Sequence, residues 1–337
     1  MNKSCLIGFL MCSAFSLVVQ AATDGAHITK TISQIERKKG IKRTIQYRPD
    51  GNDFVCVNGK NRYTRALYGG ITDFRIETSD RPVFAAYKPK DSKHICFRLQ
   101  CGNQSIALDS LKFCEARYRA GRRTYRLTDP LLGKGELNIS VLAFPDAEGG
   151  IWRFTMKDMP EGALLHCYIS EIRAKNLSRN GDMGADRADS FDAPQLPKEQ
   201  KHYKLSLDGT TAYIVVEDQE LRLPALVEGT SLYDKSEKWR SEIESSLQIS
   251  TPDPYFNPLG GALAAAADGI WDGKIWLHGA IGWRSQLNGW RAAYIGDFIG
   301  WHDRARTHFD SYAASQVTDV PATIPHPTQD TALHLAR

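Results

Sequence analysis

From about Phe54 to Leu223, apolar and polar positions alternate in short runs broken by turn residues. The clearest runs are Arg62-Tyr63-Thr64-Arg65-Ala66-Leu67-Tyr68, His94-Ile95-Cys96-Phe97-Arg98-Leu99, Glu136-Leu137-Asn138-Ile139-Ser140-Val141-Leu142 and Ala212-Tyr213-Ile214-Val215-Val216. A period of two places every second side chain on one face. Strands recurring at this rhythm, with no amphipathic helix between them, predict an antiparallel two-layered β-sandwich. The span accommodates roughly ten to fourteen strands at usual strand and loop lengths. Residues 176–200 break the rhythm: they are rich in Gly, Asp, Arg, Asn and Pro and read as a long exposed loop.

Beyond Thr230 the period lengthens. Leu232, Trp239, Ile243 and Leu247 share one helical face, with Ser231 available as a cap, so a linker helix packed on the sandwich is expected from Thr230 to Leu247. Pro252, Pro254 and Pro258 then forbid regular structure and mark a domain boundary. The following segment, Leu259 to Trp271, carries Ala262, Ala264, Ala265, Ala266 and Ala267 and predicts a closely packing helix. A second helix is expected from about Gly300 to Gln316. A third begins near Thr328, with Asp330 in its first turn, and runs to Arg337 without a C-cap, which reads as a piece of something longer.

Composition narrows the class. The chain has 337 residues, 42% hydrophobic and 24% charged, which is ordinary for a globular protein of this length and excludes disorder. Lys plus Arg number 43 against 39 Asp plus Glu, with no block of five like charges; a nucleic-acid partner lacks its basic footprint. At the N-terminus, Lys3, the apolar run Leu6 to Val19 and the small-residue pattern Val19-Gln20-Ala21 read as a secretory signal peptide over residues 1–21. That run is too short to span a membrane and no later one is longer, so an exported protein of the periplasm or cell surface with no membrane span is expected. A retained N-terminal anchor is the alternative. Cleavage leaves Cys56, Cys96, Cys101, Cys114 and Cys167, an odd number with no zinc spacing, better suited to small buried side chains.

The densest chemical signal is aromatic. Trp271, Trp276, Trp283, Trp290 and Trp301 fall within one short stretch. Sugars present flat faces of polarised C–H groups, and indoles with Asp, His and Arg beside them are what a carbohydrate cleft uses. The alternative is structural, since Trp276, Trp283 and Trp290 recur every seven residues and would form a core stripe on a helix. Gly279, Gly282 and Gly289 weigh against that helix. Two groups supply polar neighbours: Trp290-Arg291 with Asp297, and Trp301-His302-Asp303-Arg304 at a helix start, where a carboxylate is favoured by the dipole whether or not it acts on substrate. His302, Arg306 and His308 form no metal constellation, and no metal or cofactor is implied. His326 and Asp330 read as part of a Pro-rich connector or a loop over a cleft. No nucleophile elbow, phosphate-binding loop or dinucleotide-binding turn is present in the sequence.

The stretches TPDPYFNPLGGALAAAADGIWDG, WLHGAIGWRSQLNGWRAAYIGD, GWHDRARTHFDSYAASQVT and PHPTQD, with NRYTRALYGG upstream, resemble a family of secreted bacterial proteins in which a β-sandwich domain of unknown function precedes an (α/α)6 barrel of the six-hairpin glycosidase type. The resemblance covers nearly all of the mature chain. It implies a β-sandwich at residues 23–229, a linker helix at 230–250, and the first helices of an incomplete six-hairpin domain at 251–337. A closed barrel needs roughly 300 residues at usual helix and loop lengths, and 86 follow Thr251. The expected function is that of a glycoside hydrolase N-terminal fragment, acting on polysaccharide or oligosaccharide by paired carboxylates. Asp297 and Asp303 are the catalytic candidates; Trp290, Arg291, Trp301, His302 and Arg304 are the substrate-binding ones. A non-catalytic carbohydrate-binding or scaffold protein is the alternative, and a polysaccharide lyase comes third.

Overall fold

The computed structural model describes residues 46–88, 92–172, 202–277 and 289–314, the first five of the last segment by backbone alone. The signal sequence at 1–21, the loop at 176–200, and the helix start near Thr328 with His326 and Asp330 lie outside the described residues.

Fifteen strands form two antiparallel sheets among the described residues: β1 (Arg48–Asp50), β2 (Asp53–Val57), β3 (Arg65–Tyr68), β4 (Arg75–Thr78), β5 (Phe84–Tyr87), β6 (Lys93–Cys101), β7 (Gln104–Ala107), β8 (Phe113–Arg119), β9 (Arg122–Thr128), β10 (Glu136–Ala143), β11 (Gly149–Lys157), β12 (Leu164–Glu171), β13 (Tyr203–Ser206), β14 (Thr211–Glu217) and β15 (Glu220–Arg222). An eight-stranded sheet runs β1-β2-β8-β9-β10-β11-β14-β15. A seven-stranded sheet runs β13-β12-β6-β5-β4-β3, with β7 paired to β6. The four runs singled out by their alternation contribute β3, β6, β10 and β14.

The strands follow from the period-two pattern. In β8 and β9 burial alternates strictly, sending Cys114, Ala116 and Tyr118, then Arg123, Tyr125 and Leu127, inward. Ala120 and Gly121 between them both take positive φ, the mirror-type turn whose twist matches the flanking strands. Between the sheets, Phe84 and Phe97 from one side meet Trp152 and Phe154 from the other, edge to face: Phe84–Trp152 centroids are 5.7 Å apart and Phe97–Phe154 5.4 Å. All five cysteines of the described residues lie in strands as free thiols, four of them buried, and burial pushes Cys96 and Cys114 up to about 12.

One inward position is a charge. Arg123 is fully buried, and its guanidinium donates to the Ser79 carbonyl (2.9 Å) and the Tyr47 hydroxyl (3.1 Å). Its nearest carboxylate is Asp80, also fully buried, 3.9 Å away. Asp80 accepts in addition from the Asn61 backbone (2.9 Å), from Thr64 Oγ1 (3.1 Å) and from the Tyr47 hydroxyl. This network ties β9 of one sheet to the end of β4 in the other.

Helix α1 (Leu226–Ser245) lies on the outer face of the eight-stranded sheet. It starts four residues before the predicted Thr230, with Ala225 rather than Ser231 at the cap position and no side chain capping it. Its buried face also differs from the expected one: Gly229, Tyr233, Ser236 and Arg240 are buried, while Leu232, Trp239 and Ile243 are only half-covered. The reason is polar matching. Tyr233 shares a hydrogen bond with Ser140 (2.7 Å) and lies under Arg153 at 3.9 Å. Arg240 reaches Glu237 (2.7 Å), Glu244 (2.8 Å) and the Ala120 carbonyl (3.2 Å). Gly229 admits the Tyr213 ring, which would lie 2.4 Å from a Cβ.

The proline-rich crossing has no regular structure, and α2 (Leu259–Gly269) follows it as expected. Then come α3 (Gly289–Phe298) and α4 (His302–Ala314), joined by a short turn at Gly300 with φ +83°. An (α/α)6 barrel is not present among the described residues. Nor is there a helix among them long and apolar enough to cross a membrane.

Two substitutions test this account. Asp80→Ala leaves Arg123 buried without its carboxylate and is expected to cost about 3–5 kcal/mol in urea denaturation; a loss below 1 kcal/mol contradicts the role given to the pair. At Gly260 a methyl would stand 2.7 Å from the Leu247 carbonyl oxygen and 3.0 Å from the Ile249 nitrogen. Alanine gains about 1 kcal/mol of helix propensity there, but displacing backbone costs about 1–3 kcal/mol, so Gly260→Ala should lower the thermal midpoint.

Candidate functional site

The chain after α2 is organised around Trp276. Trp271 and Trp276 face each other in an isolated antiparallel bridge, with Asp272 accepting the Lys274 (2.9 Å) and Ile275 (2.7 Å) amides in the turn between. Trp276 therefore does not sit on a helix. It is fully buried, its indole N–H donates to the Ala267 carbonyl (3.0 Å), and its backbone N–H donates to Nδ1 of the buried His308 (3.1 Å). Both residues hold the helices to one another. Trp283 lies outside the described residues.

Trp271 and Trp301 are half-buried, and Arg304 stands beside both: its guanidinium carbon is 4.4 Å from the Trp301 ring centre and 5.6 Å from that of Trp271. The same guanidinium donates to Asp268 Oδ1 at 2.7 Å. Asp268 ends α2 and is 7% exposed; burial pushes its carboxyl above the usual range, and Arg304 acts in the opposite direction. On its other side Asp268 borders a space of about 40 Å3, with Tyr68, Tyr118 and Arg240, too small for a sugar ring. The structure thus places Arg304 as a strut from α4 to α2, with its charge already matched.

The other sequence candidates gather at the α3–α4 turn. Asp297 lies in the last turn of α3 and His302 opens α4, with Oδ1 and Nδ1 3.1 Å apart and both side chains well exposed. Asp303 occupies the first turn of α4, where the dipole favours a carboxylate, and is exposed to solvent. Trp290 and Arg291 belong to α3 by backbone; their side chains lie outside what is described. No group of three metal-ligating side chains occurs among the described residues.

Reading the tryptophans alone misses two aromatics on the same turn. Tyr294 is 67% exposed and Phe298 81%, four residues apart and so adjacent on one face of α3. Their signal was the i, i+4 aromatic pair in GWRAAYIGDF, hidden by the stronger indole pattern around it.

Residues 89–216 match the model of a family described as a domain of unknown function, DUF4450. The match runs from β6 into β14, taking in the middle of the eight-stranded sheet and the β13-β12-β6 side of the seven-stranded one, and stops before α1. A search of curated proteins gave no match.

The Asp268–Arg304 pair makes a testable prediction. Its carboxyl is held above the unfolded value, so the folded state favours the protonated form, and the stability present below the unfolded value is lost as pH rises through the folded one. Arg304→Met removes a cation that counters burial. The Asp268 titration followed by carboxyl 13C NMR should move further up, and the loss of stability with rising pH should extend to higher pH. An unmoved titration contradicts the strut.

Proposed function

We propose that the protein is carbohydrate-active and that the α3–α4 turn is its saccharide-contacting surface. The observation that carries this reading is the aromatic pair Tyr294 and Phe298, exposed on one helix face beside the exposed Asp297–His302 pair. Two exposed rings on one helix face present an apolar surface on which a ligand can stack. The apolar face of a pyranose does so while its hydroxyls find a carboxylate and an imidazole alongside. Half-buried Trp301, stiffened by Arg304, forms the base of the turn. The signal-like N-terminus and the resemblance to secreted glycosidases support the same reading, with an exported protein meeting polysaccharide or oligosaccharide outside the cytoplasm.

Binding is the form of this activity that the geometry favours. A general acid for glycoside cleavage works from an apolar pocket that keeps it protonated, and Asp297 and Asp303 both stand in solvent. Hydrolysis by this pair is the second reading, favoured by the two carboxylates lying on one turn on either side of Trp301.

The test is NMR titration of the full chain with maltotriose, cellotriose and xylotriose, read at the backbone amides of 294–303. Tyr294→Ala with Phe298→Ala should weaken the response at least tenfold, about 1.4 kcal/mol, without lowering the thermal midpoint, since both rings are exposed. Amides that ignore every probe, or a double variant that titrates like the parent, reject the surface. For hydrolysis, Asp297→Asn and Asp303→Asn should each abolish release of reducing ends; unchanged or absent turnover removes that reading.

A further inference from the structure

Where the β1–β2 turn meets the junction of α1 and α2, the surface sinks into a cleft of about 450 Å3, within the size range of small-molecule sites. One wall carries Arg119, whose Nε donates to Glu244 at 2.7 Å, and Glu244 also accepts from Arg240 at 2.8 Å. Burial pushes the wall's carboxylate up, and the two guanidinium groups outweigh it and hold the carboxyl below the usual range.

Beside this pair the cleft offers neutral hydrogen bonding. The side chains of Asn52, Gln248 and Ser250 line it and make no hydrogen bond to other described residues. Each is both donor and acceptor, which is the property of the alcohol groups on a sugar. Ser241 and Ser245 donate to the Lys238 and Glu242 carbonyls (2.8 and 2.7 Å), so their oxygens face outward as acceptors. Leu247 and Ile249, half-buried at the edge, add an apolar strip of the kind a C–H face covers.

The cleft is also built to hold its shape. Asn257 on its rim clamps Thr251, accepting from the backbone N–H (2.7 Å) and donating to the carbonyl (3.1 Å), and Asp253 accepts the Tyr255 amide (2.9 Å). Gly260 and Gly261 let α2 approach α1 so closely that a Cβ on Gly261 would stand 2.8 Å from Glu244 Cγ. A site whose walls are fixed in advance binds without the entropy cost of ordering them.

We propose that this cleft is a binding site for a neutral, polyhydroxylated ligand of saccharide type. It shares no residue with the α3–α4 turn and does not rest on the reading given to that turn. The full-length protein is titrated with maltotriose, cellotriose and xylotriose and observed at the side-chain amide signals of Asn52 and Gln248. The proposal expects saturable shifts there with at least one probe. It also expects at least tenfold weaker binding in Asn52→Ala with Gln248→Ala, and loss of binding in Ser245→Trp, which fills the cleft from an exposed helix position. Tyr294→Ala with Phe298→Ala should leave these signals unaffected. Amide signals that no probe moves overturn the cleft, as do cleft variants that titrate like the parent, and neither result touches the α3–α4 surface.

Discussion

A fully buried guanidinium decides how the two sheets meet. Arg123 points inward because β9 alternates and position 123 falls on the core side, yet a charge so placed costs several kcal/mol unless a carboxylate and hydrogen-bond acceptors lie around it. Asp80, Ser79 and Tyr47 supply them, and they come from the far sheet and from the segment leading into β1. Tyr125, two residues along the same strand, donates to the same Ser79 carbonyl at 2.8 Å. A shift of one residue in β9 turns Arg123 outward with Tyr125 and Leu127 and strands Asp80, so the buried charge raises the cost of a slip that the apolar face already opposes. The aromatic contacts between Phe84, Phe97, Trp152 and Phe154 form in the register that the polar network allows.

The helices are attached by the same means at partly exposed sites. Arg119, Arg122 and Arg240 bind Glu237 and Glu244 where α1 crosses the β8–β9 hairpin, and Arg304 binds Asp268 where α4 meets α2. Each pair joins an arginine from one element to a carboxylate on another or one turn away. Partly exposed pairs of this sort add little stability individually. Their effect is on orientation, because the planar fork accepts few directions. The close approaches at Gly229 and Gly260 then bring backbones together along the directions so chosen.

The sandwich was legible because alternation is a local property: a strand with one wet and one dry face writes it into the sequence, and β3, β6, β10 and β14 lie where it appears. Helix α1 was legible as a helix but not in its orientation. An apolar moment points a helix toward a greasy surface, and here the sheet beneath offers Ser140, Arg153 and the Ala120 carbonyl, so Tyr233 and Arg240 are the residues that face it. The site was legible only in part. Spacing could place Asp303 and His302 at a helix start, but it could not separate a tryptophan that seals a core from one that rims a surface. Trp276 is sealed because a backbone bridge and His308 enclose it, and both are contacts made at a distance along the chain.

That separation also bears on chemistry. An indole stack with an arginine and a carboxylate looks from the sequence like a substrate cleft, yet Arg304 and Asp268 neutralise one another at 2.7 Å and the adjoining space admits no sugar. Charges that satisfy each other are finished with; groups able to engage a ligand are those the fold leaves uncommitted in water. By that criterion Asn52, Gln248 and Ser250 stand forward at the junction of α1 and α2, while Tyr294, Phe298 and the Asp297–His302 pair are set apart by their exposure at the other end of the helices. Both sets bring donor and acceptor groups together with apolar surface, which is the combination that the proposed polyhydroxylated ligand requires.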